Sequence, residues 1–251
     1  MKNQLPLFFK SFVFLITIGF FFSCKNNTTE TATKTTPAPV VKKEPSPEIK
    51  KINRFLPEIQ RFDSLDQANG LTKNGIVFTG SSSIRFWNSL KEDMHPMTVV
   101  NRGFGGATMP EILHFSGKYL FKHKPQIVVL YCGENDIAEG ESPETVFGSF
   151  ITFAKIMEKR LPDTKLVFIS MKPSVTRWNL WEKYKVGNEL IQKFMSGKSN
   201  MLYVDAGETM LAADGNVKKD IFIEDGLHMN ANGYAGWTKQ MKPILESIYK
   251  E

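Results

Sequence analysis

The chain has 251 residues, 41% hydrophobic and 23% charged, a composition that excludes fibrous and wholly disordered proteins. Its formal net charge of +6 comes mostly from Lys2, Lys10 and six lysines in residues 25–51, opposed there by three glutamates; the rest carries 24 basic and 23 acidic side chains. That near-neutral remainder excludes the basic stripe nucleic-acid binding requires.

In chain order, Met1–Lys10 supplies two lysines, Ser11–Phe22 an apolar core, and Ser23-Cys24 a small residue before a cut. This pattern predicts a secretory signal over residues 1–23, with a core too short to span a bilayer well. Phe21-Phe22-Ser23-Cys24 resembles a bacterial lipobox, with Phe21 in place of the usual Leu. The resemblance implies lipidation of Cys24 and a cell-envelope, membrane-anchored lipoprotein. Residues 24–50 are rich in Thr, Lys, Pro and Glu and read as a disordered tether, which leaves 51–251 as one domain. Cys132 reads as a buried core residue, and no disulfide is expected.

Within the domain, residues 51–69 carry Ile52, Phe55, Ile59, Phe62 and Leu65 at helical spacing, with Pro57 as a possible interruption. Apolar runs at 75–80, 97–102, 126–132, 165–170 and 201–205 predict five strands. Their lack of alternation predicts burial on both faces. Helices are expected at 83–92, 110–123, 143–160, 179–196 and 230–249, with Ser142-Pro143 and Asn230 as start signals. Strand and helix in alternation imply an α/β protein with a parallel sheet, whose ligands bind beyond the C-terminal strand ends.

Four segments offer chemistry at such places. Gly80-Ser81-Ser82-Ser83 puts a hydroxyl at a strand-to-helix junction, where the helix N-terminus favours negative charge. Spacing does not choose among its three serines, and helix capping alone would also explain them. Asp225-Gly226-Leu227-His228 sets a carboxylate three residues before an imidazole, the pairing a general base needs, although a helix-entry turn has the same form. Gly103-Phe104-Gly105-Gly106 lets a ligand approach backbone amides and lacks the lysine of a phosphate loop. Gly133-Glu134-Asn135-Asp136 follows the central strand; Asn135 offers a side-chain amide or a simple Asx turn. His95, His114 and His123 read as surface or helix residues, and no metal site is expected.

Together these segments resemble, in order, the four blocks of the SGNH hydrolases, or GDSL esterases, over residues 74–245. The resemblance implies a flavodoxin-like three-layer α/β/α sandwich with a five-stranded parallel sheet. It assigns the nucleophile to Ser82 and the base and its carboxylate to His228 and Asp225. It assigns the oxyanion donors to the Ser82 and Gly106 amides and to Asn135. It implies hydrolysis of carboxylic esters through an acyl-enzyme, with no cofactor. Two departures are Ser81 and Ala107, where the family commonly has Asp. Trp178 and Trp181 either line a substrate cleft or pack helix to sheet, and Arg85 either meets an anionic group or pairs with a carboxylate. The expected substrates are small-molecule or carbohydrate esters of small acyl groups, acetyl first, in cell-envelope material. The alternatives are a lysophospholipase or longer-chain lipase, or an inactive surface-anchored binding protein.

Overall fold

A computed structural model describes residues 52–250; the signal, Cys24 and the tether lie outside them. Five strands form one parallel sheet: β1 (Ile76–Gly80), β2 (Val99–Gly103), β3 (Ile127–Tyr131), β4 (Lys165–Ile169) and β5 (Met201–Val204), in the order β2-β1-β3-β4-β5. This is the flavodoxin-like order, with its topological switch point between β1 and β3. Every residue of β1 and β3 is buried, which explains their nearly continuous apolar runs; the hydroxyl of Thr79 in β1 is satisfied by Tyr119 and the Arg102 carbonyl.

Alternate residues of these strands feed two cores. Val77, Val128, Leu130 and Phe168 meet α1 (Leu56–Asn69), α4 (Met109–Tyr119), α6 (Pro143–Arg160) and α7 (Trp181–Met195). Ile76, Phe78, Val129 and Ile169 meet α2 (Ser82–Arg85), α3 (Leu90–Asp93) and α8 (Ala231–Ile248). The three layers are thus helix, sheet, helix, and the sequence forms them through two-residue alternation inside buried strands.

Several helix bounds differ from expectation. The expected helix 51–69 is interrupted: residues 52–53 are helical, 54–55 form a turn, and α1 begins at Leu56 with Pro57 in its first turn, where a missing N–H costs nothing. The expected helix 83–92 is two short ones. Between them the chain turns so that Trp87 enters the core, 1% exposed, against Phe78, Tyr234 and Trp237. There its indole N–H donates to Asp93, which also accepts from Ser89. Burial of that large ring outweighs local helix propensity. The segment 110–123 ends as α4 and resumes as a 3₁₀ turn over Phe121–His123. A short helix, α5 (Glu134–Ala138), was not expected. Ser142 and Asn230 cap α6 and α8 through Thr145 N–H and through Asn232 and Gly233 N–H.

Candidate active site

The site is built at the C-terminal ends of β1, β2, β3 and β4 and in the loop entering α8. At the end of β1, Gly80 has φ +134°, and a Cβ there would lie 1.9 Å from the Tyr131 carbonyl oxygen. Only glycine lets the chain turn this close to β3. Ser81 N–H donates to that carbonyl (2.9 Å), and Ser82 becomes the first residue of α2. The three serines that spacing left open are now distinct. Ser81 and Ser83 are buried without side-chain partners, whereas Ser82 Oγ lies 2.8 Å from His228 Nε2.

His228 is held on its other side by Asp225, with Nδ1 2.5 Å from Oδ2. Asp225 Oδ1 also accepts from the backbone N–H of Leu227 (2.8 Å) and His228 (2.9 Å). Partial burial works to raise the Asp225 carboxyl. The hydrogen bonds from the His228 ring and these two N–H groups outweigh it and hold the carboxyl down at about 2. An ionised carboxylate can only accept, so Nδ1 carries the proton and Nε2 is left to accept from Ser82. The ring is also packed edge-on by Phe86, with centroids 4.8 Å apart.

Two groups beneath this loop escaped sequence reading. Lys172, 1% exposed, donates from Nζ to the Leu227 carbonyl (2.8 Å). Burial pushes its ammonium below the usual lysine value, with the charge of Glu134 opposing. Thr176 donates through Oγ1 to the Asp225 carbonyl and through N–H to that of Gly226 (3.1 Å). Both residues follow β4, where strand-end position was the one available signal.

The opposite side carries amides. Among the described residues, the N–H groups of Ser82 and Gly106 have no acceptor. Gly106 has φ +74°, and a Cβ there would meet nothing within 4 Å, so its backbone borders open space. Arg54 donates to its carbonyl (3.2 Å) and pairs with Glu111 (3.0 Å), which closes a capping box with Thr108 at the start of α4. Asn135, 7% exposed, donates from Nδ2 to the Ala107 carbonyl (2.9 Å), and its Oδ1 accepts from Arg177 (2.9 Å). The missing Asp at 107 therefore leaves this bond intact, because backbone supplies it. Asp136 accepts from Met109 N–H at the N-terminus of α4 (3.0 Å), and burial pushes its carboxyl up to about 6.

Three readings that the sequence left open are narrowed by the structure. Trp181, at the start of α7, is 4% exposed and packs its ring on Gly207, the helix-to-sheet reading; the cleft it borders, with Tyr203, Asp205 and Glu208, is not the one around Trp178. Arg85 faces the Glu58 carboxylate at 3.8 Å, which favours the paired reading over a free anion site. His123 takes the helical of its two expected places, fully buried at the end of the 3₁₀ turn. Its Nδ1 accepts from Thr72 N–H (3.2 Å), and burial lowers its pKa. Trp178, 37% exposed, does line an open cavity of about 660 Å³ with Val175, Asp214, Asn216, Lys219 and Asp220. Val175 packs on Gly226, inside the Asp225–His228 loop, so this cavity adjoins the site. Cys132 is free and fully buried, and burial raises its thiol well above its usual value.

Residues 63–235 match the profile of the GDSL-like lipase/acylhydrolase family. The chain belongs to that family. This GDSL-like acylhydrolase is therefore an ester hydrolase. It is 26% identical over 176 residues to platelet-activating factor acetylhydrolase IB subunit alpha1 of Bos taurus, across 68% of this chain and 74% of that one. Among solved structures it resembles a GDSL-like lipase from Bacteroides thetaiotaomicron (TM-score 0.64, 18% identity, 75% of this chain and 97% of that chain). It also resembles an acetyl-xylooligosaccharide esterase from Geobacillus Stearmophilus (TM-score 0.56, 12% identity, 72% and 97%). At these identities the structural likeness carries the fold alone.

Proposed function

We propose that this acylhydrolase removes small acyl groups, acetyl first, from carbohydrate or cell-envelope esters, using Ser82, His228 and Asp225 as its triad. The observation that carries the reading is the continuous chain of contacts: Ser82 Oγ 2.8 Å from His228 Nε2, and His228 Nδ1 2.5 Å from Asp225. In the first step His228 takes the Ser82 proton while Oγ attacks the ester carbonyl. The tetrahedral oxyanion is met by the N–H of Ser82 and Gly106 and by the Asn135 amide. His228 then protonates the leaving alcohol. Water, deprotonated by the same imidazole, attacks the acyl-enzyme and restores Ser82.

Two things support a small acyl group on a polar alcohol. The curated relatives include proteins named as acetylhydrolases. The cavity beside Val175 presents an indole with two carboxylates, an amide and two lysines, a mixture suited to a neutral polyol rather than to an alkyl chain. The test is hydrolysis of nitrophenyl acetate and of acetylated oligosaccharides by wild type and Ser82→Ala. The variant should fall at least about 10³-fold, and equal rates would remove Ser82 as nucleophile. A nitrophenyl ester series in which rates climb steadily beyond about eight carbons would favour the longer-chain lipase instead.

We also propose a lipid anchor at Cys24, on the strength of the signal-like N-terminus alone. Labelling with a fatty-acid analogue in a bacterial host should be abolished by Cys24→Ala; persistence would sink the assignment.

A further inference from the structure

We propose that Arg177 is a positioning residue for the oxyanion hole: it orients and polarises the Asn135 amide, and its loop ties that amide to the base. The inference rests on the reading of Asn135 as an oxyanion donor. Arg177 Nη1 donates to Asn135 Oδ1 at 2.9 Å, with the guanidinium 22% exposed. Arginine has no acceptor, so it can face only the oxygen end of an amide. The Ala107 carbonyl has no donor, so it can face only the nitrogen end, and does so at 2.9 Å. The two partners together fix which way the amide points. A flipped amide would set two donors together and two acceptors together, and would turn its oxygen towards the Ala107 side. In the observed orientation, one Nδ2 hydrogen is used by Ala107. The other has no acceptor among the described residues.

Charge adds to orientation. A cation on the amide oxygen draws electron density from nitrogen and strengthens the remaining N–H as a donor. Arg177 is itself held in place. Its Nη1 lies 4.0 Å from Glu134, a carboxylate 2% exposed whose other oxygen accepts from Tyr131. Its own N–H donates to Ser174 Oγ (3.3 Å). The neighbouring residue, Thr176, is bonded to the carbonyls of Asp225 and Gly226. Two consecutive residues of one loop therefore reach the two halves of the site, the base on one side and the side-chain donor on the other.

The experiment is a double-mutant cycle on nitrophenyl acetate hydrolysis, with Arg177→Gln, Asn135→Ala and the pair. Loss of a single oxyanion donor costs roughly 10²–10³ in kcat, and Asn135→Ala is expected in that range. Arg177→Gln should lower kcat roughly 10- to 100-fold, with KM changed by less than about two-fold, because the effect operates through that one donor. In the Asn135→Ala background the same substitution should cost less than about two-fold, since its target is gone. Arg177→Lys should recover part of the loss, and added guanidinium should restore part of it to Arg177→Ala. If Asn135→Ala costs less than about three-fold, the reading of Asn135 fails and takes the inference with it. If Asn135→Ala costs the full amount but Arg177→Gln does not, the inference alone fails. Equal losses from Arg177→Gln in both backgrounds also overturn it, because Arg177 would then act elsewhere. Should Arg177→Gln not fold, Arg177→Lys carries the same cycle: a kcat loss that disappears with Asn135 supports the inference, and one that persists overturns it.

Discussion

Asp225→Asn is the substitution that tests the triad most sharply. Asn is nearly isosteric and its oxygen can still accept the N–H groups of Leu227 and His228, so the loop should keep its shape. What changes is the atom facing Nδ1. If the amide nitrogen turns there, it presents a donor to a donor, and the ring moves its proton to Nε2, where it can no longer accept from Ser82. A charge-assisted hydrogen bond contributes about 2 kcal/mol. In the proposed mechanism Asp225 also stabilises the imidazolium that forms during attack. Unit charges about 4 Å apart interact by about 1 kcal/mol in water and about 4 kcal/mol near a protein surface. With the carboxylate 42% exposed, about 2 kcal/mol is the fair value after screening. The total of about 4 kcal/mol corresponds to a loss of about 10³ in kcat/KM. The assay is nitrophenyl acetate hydrolysis with a melting curve as control. Because the wild-type carboxyl is held at about 2, Asp225 stays ionised down to that pH, and the deficit should be present throughout the measurable acid range. A loss below about ten-fold in a folded variant would refute the argument and leave Ser82 and His228 acting as a dyad.

The two tryptophans should separate cleanly. Trp181→Ala should destabilise the fold by about 3–5 kcal/mol in urea unfolding, as for other buried rings. Trp178→Ala should leave stability and nitrophenyl acetate turnover near wild type while raising KM for acetylated oligosaccharides, and an unchanged KM would remove the cavity from the substrate path. Asp136 gives a pH prediction. Its carboxyl is raised from an ordinary 3.8 to about 6, so the folded state keeps a proton that the unfolded chain loses. The stability this contributes is complete below about pH 4 and is lost as pH rises through about 6, an effect of about 3 kcal/mol. Urea unfolding across that window should fall less steeply for Asp136→Asn; parallel curves for the two proteins would contradict it.

Much of this architecture was legible from residue pattern. The central strands announce themselves because β1 and β3 are buried at every position and almost wholly apolar, Thr79 being the polar exception with its hydroxyl bonded to Tyr119, and in α/β proteins such runs have no solvent face. Ser142 and Asn230 mark their helix starts because their side chains satisfy otherwise unpaired N–H groups. The segments proposed to react were visible for a similar reason, as each has special backbone requirements, but spacing did not choose Ser82 among three serines; that choice came from the resemblance. What stayed hidden depends on distance in sequence. Arg177 meets Asn135 across 42 residues and Lys172 meets Leu227 across 55, and no local spacing records either pairing. Trp181 and His123 stayed open for the same reason: an aromatic or imidazole ring on a helix gives no sign of which neighbour covers it. The break in the expected helix 83–92 reflects a tertiary demand, the burial of Trp87, that propensity does not contain.

The division of labour among strand ends has an evolutionary consequence. The proposed nucleophile and amide donors hang from β1, β2 and β3, whereas the wall around Trp178 is assembled from the turn after β4 and the stretch near Asp214 that follows β5. Retailoring that wall by insertion or exchange need not disturb the hydroxyl or the amides. If the proposed roles hold, a lineage built on this scaffold can change which alcohol it releases while inheriting the bond-breaking apparatus unaltered.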